Sequence, residues 1–190
     1  MHYYSIYYAH IGYALCAYTL YTTIPLCYNG YMTYRRYNTM IREEAINEGL
    51  DIYLAIALVA KESLFRNVFG WDWGEEYSDQ VPFAHMPVTP NRVRQLLKAI
   101  EENDYSYTNG VGLTQLTYPP LLFRAQSLGP NGAAVPRLQC RVGFQTLQRN
   151  ITQYGYLRGL SAYNSGQPIV NDYGRDLAAL HKEYEEKLRT

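Results

Sequence analysis

A glutamate at the end of an unusually apolar segment is the residue of this sequence best suited to acid–base chemistry. Residues 52–60 are apolar almost throughout and contain no Gly or Pro, and Lys61, Glu62 and Ser63 follow them directly. Such a segment is typical of a buried helix, at whose C-terminal end desolvation and the helix dipole both disfavour the charge of Glu62. Its pKa is therefore expected to rise, so that it could serve as a general acid near neutral pH. The alternative is an ordinary, partly exposed glutamate at a frayed helix end.

The helix that would carry Glu62 is one of five that the sequence predicts. Asp51 is a natural N-cap for it, because its carboxylate can accept hydrogen bonds from the first-turn amides, and the helix is expected to end near Phe65. The other four are delimited by residues that favour helix ends. They run from Asn38 or Thr39 to Glu48 with Gly49 as the stop, from Thr89 and Pro90 onwards, from Pro136 to Gly155, and from Asn171 or Asp172 onwards.

Apolar residues at spacings of three and four give three of these helices one buried face each. They are Val93, Leu96, Leu97 and Ile100 in one helix, Cys140, Phe144, Leu147, Ile151 and Tyr154 in the next, and Leu177, Leu180, Tyr184 and Leu188 in the last. The sequence contains neither a series of alternating strand patterns nor an internal repeat. The predicted fold is therefore mainly α.

Composition excludes several classes of function. The 190 residues suit a single domain, and the formal net charge of zero leaves no basic field of the kind that nucleic-acid-binding proteins carry. The four histidines are scattered, and Cys16, Cys27 and Cys140 lack metal-ligand spacing, so no metal site is expected. Cys16 and Cys27 could pair in an oxidising compartment, although reduced thiols are the expected state.

The N-terminal residues 1–33 are rich in tyrosine and contain no Lys, Arg, Asp or Glu. Residues 9–28 are long enough to cross a bilayer, which takes roughly 20 residues. However, they include many Tyr and Thr residues and Pro25, and no basic residue precedes them as in a signal peptide. Three interpretations stay open: a packed extension, which we favour, an interfacial anchor, and an atypical export or membrane segment.

Three short motifs occur in order along the chain: Glu-Ser-x-Phe at residues 62–65, Gly-x-Gly-Leu-x-Gln at residues 110–115, and Ala-Tyr-Asn-x-Gly at residues 162–166. With the helices between them, they resemble the lytic transglycosylase and goose-type lysozyme family, lysozyme-like enzymes that cut the glycan strands of peptidoglycan. The resemblance covers residues 37–188. It implies a lysozyme-like helical domain (the transglycosylase SLT domain) over residues 37–190, preceded by a Tyr-rich extension over residues 1–36.

The resemblance implies that Glu62 protonates the glycosidic oxygen between N-acetylmuramic acid and N-acetylglucosamine and then acts as a base. In the transglycosylases that base takes the proton of the muramoyl 6-hydroxyl, which closes a 1,6-anhydro ring. No second carboxylate is needed, because the substrate already holds the attacking hydroxyl in place. An inverting hydrolase needs a second carboxylate roughly 6.5–9.5 Å away, for which the candidates are Asp72, Glu75, Glu76 and Asp79. Both reactions stay open, and the motifs favour transglycosylation.

The resemblance also implies substrate-binding roles for a set of motif residues: Ser63, Gly112, Gln115, Tyr163, Asn164 and Tyr173. Gly112, with Gly110, would let the backbone approach the sugar, and the amide of Gln115 could both donate to and accept from it. A phenol near the acid could position it or stabilise the transition state. The alternatives are an ordinary serine at a helix end for Ser63, an ordinary tight turn for the glycines, a buried structural amide for Gln115 and core packing for the tyrosines. Thr114 stands where the family commonly has methionine.

An insertion at about residues 67–108 is the largest departure from the family. It contains Trp71 and Trp73, which could stack on sugar rings or simply pack within their own loop. The expected partner is the peptidoglycan glycan strand, with no cofactor and no nucleic acid, and residues 1–33 could associate with a membrane or a phage virion. A bacteriophage lysin or virion component is favoured over an exported bacterial enzyme. The competing hypothesis is a wall-binding or scaffold protein that keeps this fold without the activity.

Overall fold

The computed structural model describes residues 28–70, 83–103 and 108–189 of the chain. Within these ranges the protein forms seven α-helices and no β-strand, so the predicted mainly α class is confirmed. The helices are α1 (Tyr28–Asn47), α2 (Ile52–Ser63), α3 (Pro90–Glu102), α4 (Pro119–Ser127), α5 (Pro136–Tyr154), α6 (Tyr156–Ser165) and α7 (Asp172–Leu188). A 3-10 turn at Gly132–Ala134 precedes α5.

Helix α2 lies within the larger of two hydrophobic clusters. Asp51 caps its start, and its Oδ1 accepts hydrogen bonds from the amides of Tyr53 (2.9 Å) and Leu54 (3.0 Å). Every residue from 54 to 60 is buried. The helix ends at Ser63 because Leu64 takes a left-handed conformation, with φ of 51°. The predicted cap and the predicted burial are both confirmed, and Glu62 stands at the end of a core helix.

The segment at residues 110–116 lies between the two hydrophobic clusters. In the first cluster, α2 packs with α1, α5, α6 and α7, and Leu113 contributes from this segment. The second cluster contains α3, α4 and the turn before α5, and it receives Val111 and Leu116 from the same segment. Val142 of α5 also belongs to the second cluster. The segment that carries the second motif is therefore anchored in both halves of the core.

Most of the predicted helix ends are confirmed. Thr89 caps α3, with its Oγ1 3.4 Å from the amide of Arg92, and Pro90 takes the first helical position. Asn171 caps α7 through a 3.0 Å hydrogen bond from the amide of Gly174. Helices α4 and α6 are additional to those predicted.

The predicted start of the first helix is wrong. Helix α1 begins at Tyr28 rather than at Asn38 or Thr39, and it runs unbroken through the suggested boundary at residue 36. Tertiary packing explains the difference, because the ring of Tyr34 lies edge-on to that of Phe65 with centroids 5.1 Å apart. This contact stabilises a part of the helix that lies before the local cap signal.

The interpretations of the Tyr-rich segment stay predictions, because residues 1–27, including Cys16 and Cys27, lie outside the described residues. Among the helices described, none combines the length and the apolar character that crossing a membrane requires.

A buried carboxylate joins α1 to α5. The side chain of Glu44 is fully buried; its Oε1 lies 2.7 Å from Arg137 Nη1, and its Oε2 lies 3.1 Å from Arg141 Nε. Burial alone would raise the pKa of Glu44, but the hydrogen bonds and charges of the two arginines outweigh it and lower the pKa below its ordinary value. Helices α1 and α5 are thus held together by a buried ion pair between Glu44 and two arginines.

Candidate active site

Gln139 of α5 fixes the loop that carries the second motif. Its Oε1 accepts a hydrogen bond from the amide of Leu113 (3.1 Å), and its Nε2 donates to the carbonyl of Ala133 (3.0 Å). The side chain fits there because Gly112 has no Cβ: an added Cβ would lie 2.0 Å from Gln139 Oε1. Thr114 Oγ1 donates to the backbone carbonyl of Gln139 (2.9 Å), so the threonine side chain faces α5.

Two hydroxyl groups tie this loop to the helices that carry the first and third motifs. Ser63 Oγ, at the end of α2, lies 3.0 Å from the carbonyl oxygen of Leu113 and 3.1 Å from that of Val59. The hydroxyl of Tyr163, in α6, donates to the carbonyl of Thr114 at 2.8 Å. Residues from all three motifs therefore meet, although they lie up to about a hundred positions apart in the sequence.

Glu62 receives a hydrogen bond from the phenol of Tyr173, whose hydroxyl donates to Glu62 Oε1. Desolvation, followed by the nearby charge of Glu62, holds the pKa of Tyr173 well above its usual value of 10. The same two causes raise the pKa of Tyr163. Both phenols therefore keep their protons at neutral pH and act as hydrogen-bond donors.

The side-chain amide of Gln115 donates hydrogen bonds to backbone carbonyls. Its Nε2 donates to the carbonyls of Gly112 (2.7 Å) and Val68 (3.1 Å), and its backbone has a positive φ of 44°. The carbonyl of Gly110 accepts from the amide of Gly70 at 2.8 Å. These contacts agree with the structural alternative for Gln115, and a role in binding sugar stays a prediction.

The contacts described so far form one network, which consists of Glu62, Ser63, Gln139, Tyr163, Tyr173 and the loop at residues 110–115. The remaining predicted residues are not part of this network. Asn164 is exposed on α6. The candidates for a second carboxylate, Asp72, Glu75, Glu76 and Asp79, lie outside the described residues, as do Trp71 and Trp73. Their roles stay predictions. Elsewhere in the described ranges, no three His, Cys, Asp or Glu side chains come together as metal ligands would.

A cavity of about 280 Å³ lies beside the network and contains none of the predicted site residues. It is lined by Phe65, Arg66 and Asn67 after α2, by Arg36 and Tyr37 of α1, and by Val68, Pro87 and Val88. The residues predicted to act on or bind the substrate therefore do not line this cavity.

Gln139 and Lys61 are two residues in or beside the network that the sequence patterns do not single out. Gln139 is fully buried, and it lies one position before Cys140, outside the apolar stripe of α5. The stripe therefore gives no signal for it, and its burial is explained by the hydrogen bonds that its amide makes with Leu113 and Ala133. Lys61 contacts both the ring of Tyr173 and Asp176. Those contacts depend on the docking of α7 and leave no local signal.

Replacing Gly112 with alanine is expected to disrupt this loop. The positive φ of 77° would strain a residue with a Cβ, and the Cβ would displace the buried amide of Gln139. Together these effects should lower the free energy of unfolding by about 2–4 kcal/mol. Urea denaturation would measure it. Gly129→Ala is the matched control, because a Cβ there meets nothing within 4 Å; equal stability of the two variants would contradict the prediction.

Comparison with protein-family models, with curated proteins and with solved structures finds no match to this chain. The resemblance to the lytic transglycosylases and goose-type lysozymes therefore rests on the three motifs themselves and on the helices that bear them.

Proposed function

We propose that this protein cleaves the β-1,4 bond between N-acetylmuramic acid and N-acetylglucosamine in peptidoglycan, as a lytic transglycosylase. The observation that supports this most strongly is the convergence of the three motifs at the end of α2. There Glu62 accepts a hydrogen bond from Tyr173, and Ser63 and Tyr163 bond to consecutive carbonyls of the loop at residues 110–115. A carboxyl group held in this way is suited to proton transfer in both directions.

In the proposed reaction Glu62 first acts as an acid. Its Oε1 accepts the hydrogen bond from Tyr173, and the proton of its carboxyl group is the one that is transferred. It passes to the glycosidic oxygen as the bond from that oxygen to the muramoyl C1 breaks, and positive charge develops on the sugar ring. The carboxylate that forms is stabilised by the phenol of Tyr173, since a hydrogen bond to the charged form favours it.

Glu62 then acts as a base. It takes the proton of the muramoyl 6-hydroxyl, and the oxygen of that hydroxyl bonds to C1 to close the 1,6-anhydro ring. Glu62 is protonated again, and no water is consumed. The intramolecular nucleophile has a high effective concentration at C1, so this reaction needs no second carboxylate.

Mass spectrometry of the products from purified peptidoglycan tests the proposal. We expect soluble muropeptides that end in 1,6-anhydromuramic acid. Reducing ends that carry one added water would instead indicate a lysozyme, and would direct attention to Asp72, Glu75, Glu76 and Asp79 as the second carboxylate. Intact sacculi in the presence of folded protein would contradict an enzymatic role on that wall type and favour a wall-binding protein.

A further inference from the structure

Lys61 bridges the catalytic end of α2 to α7 through two contacts. Its Nζ lies 3.2 Å from Asp176 Oδ2 and 4.9 Å from the centroid of the Tyr173 ring. Tyr173 and Asp176 are three residues apart on α7, so their side chains are neighbours on one helix face. The lysine side chain is only 22% exposed, which limits its freedom to leave these partners.

The Tyr173 ring carries the hydroxyl that donates to Glu62, so Lys61 is connected to Glu62 through this ring. The side chains of successive helix residues do not face each other, so those of Lys61 and Glu62 leave α2 in different directions. A cation over the face of an aromatic ring is attracted to it and restrains its position.

The geometry points to Lys61 as a positioning residue for the acid–base group of the proposed reaction. Asp176 holds the ammonium group over the ring of Tyr173, and the ammonium group keeps the Tyr173 hydroxyl on Glu62 Oε1. This inference rests on the proposed function, because it assigns Lys61 a task in the proton transfers of Glu62. It requires the charge of residue 61 and the hydroxyl of residue 173 to act together.

A merely structural ion pair would behave differently. Asp176 is 48% exposed, and ion pairs that are exposed to solvent contribute little to stability. Lys182 and Glu186 form such a pair on α7, with both side chains more than half exposed. If Lys61 were only of this kind, its loss would leave turnover unchanged, or would act equally with and without the Tyr173 hydroxyl.

A double-mutant cycle tests the inference by measuring the release of soluble muropeptides over a range of peptidoglycan concentrations. Lys61→Met should lower kcat about tenfold with little change in KM, and Lys61→Arg should restore most of the loss, because arginine keeps the charge and binds aromatic faces. In a Tyr173→Phe background, Lys61→Met should change kcat by less than about twofold, since the hydroxyl through which it acts is gone. Lys182→Met is the matched control and should have the wild-type rate.

Several results would overturn the inference. One is an undiminished kcat in Lys61→Met, another is an equal loss in both backgrounds, and a third is a failure of Lys61→Arg to recover activity although urea denaturation shows it folded. Failure of the proposed function is a distinct result, because the wild-type protein itself would then release no muropeptides, and the role of Lys61 would fall with it.

Discussion

Glu62→Gln should reduce the release of muropeptides from peptidoglycan by about a thousandfold or more, while the protein stays folded. General acid–base groups contribute typically about 10²–10⁴-fold to rate, and Glu62 is proposed to act first as the acid and then as the base in one turnover. Glutamine keeps the size of the side chain, and its amide oxygen can still accept the hydrogen bond from Tyr173. It can neither give nor take the proton.

The measurement is the initial rate of muropeptide release, with urea denaturation to verify the fold. Glu102→Gln is the matched control, because Glu102 is an exposed glutamate at the end of α3 that pairs only loosely with Lys98. We expect that variant to have the wild-type rate. Retention of more than a tenth of the activity by folded Glu62→Gln would remove Glu62 from the mechanism.

The double variant Arg137→Gln/Arg141→Gln should be the most destabilised of the charge variants. It leaves the carboxylate of Glu44 buried without its cationic partners, and breaking a buried ion pair in this way costs about 3–5 kcal/mol. Urea denaturation at pH 7 would measure the loss. Arg175→Gln is the control, since Arg175 pairs with Asp172 on the exposed surface of α7, and such pairs contribute at most about 1 kcal/mol.

In that double variant, the pH dependence that Glu44 gives to the free energy of unfolding should also change sign. In the wild-type protein the pKa of Glu44 is lowered from 4.5, so the unfolded chain binds the proton more readily, and the contribution of Glu44 to stability is lost as the pH falls through the folded pKa. Without the arginines, burial acts unopposed and raises the pKa of Glu44. The folded state then binds the proton more readily than the unfolded chain does. Stability should therefore increase as the pH falls from 7 towards the pKa that Glu44 has in the unfolded chain.

Unfolding free energies at several pH values between 7 and 5 would test this sign. Adding Glu44→Gln to the double variant is the sharpest control, because a glutamine has no proton to bind. The pH-dependent gain should then disappear. A double variant that gains no stability between pH 7 and 5 relative to the triple variant would contradict the role assigned to Glu44.

The sequence predicts those features of the fold that depend on neighbouring residues. Asp51 and Asn171 cap α2 and α7 as expected, because an N-cap bonds to amides two or three residues away. The start of α1 is missed, since it depends on Tyr34 meeting Phe65, a contact that no local pattern encodes. Helix α6 is missed because it starts directly after Gly155, which ends α5, so the sequence offers a stop signal without a clear new start.

The candidate site could be predicted only in part. The resemblance identifies Glu62 and Tyr173, which are in contact although 111 positions separate them. It does not identify Gln139, which accepts from the amide of Leu113, or Lys61, which contacts the ring of Tyr173. Such supporting residues are recognised by their contacts, and these exist only after the helices have packed.

The position of the 110–116 segment between the two hydrophobic clusters has a consequence for thermal inactivation. Leu113 is anchored in one cluster and Val111 and Leu116 in the other, so neither half of the core can open locally without releasing the loop. Local openings need less free energy than complete unfolding. The proposed activity should therefore be lost on heating no later than the fold itself, and it should return when a partly opened molecule closes again.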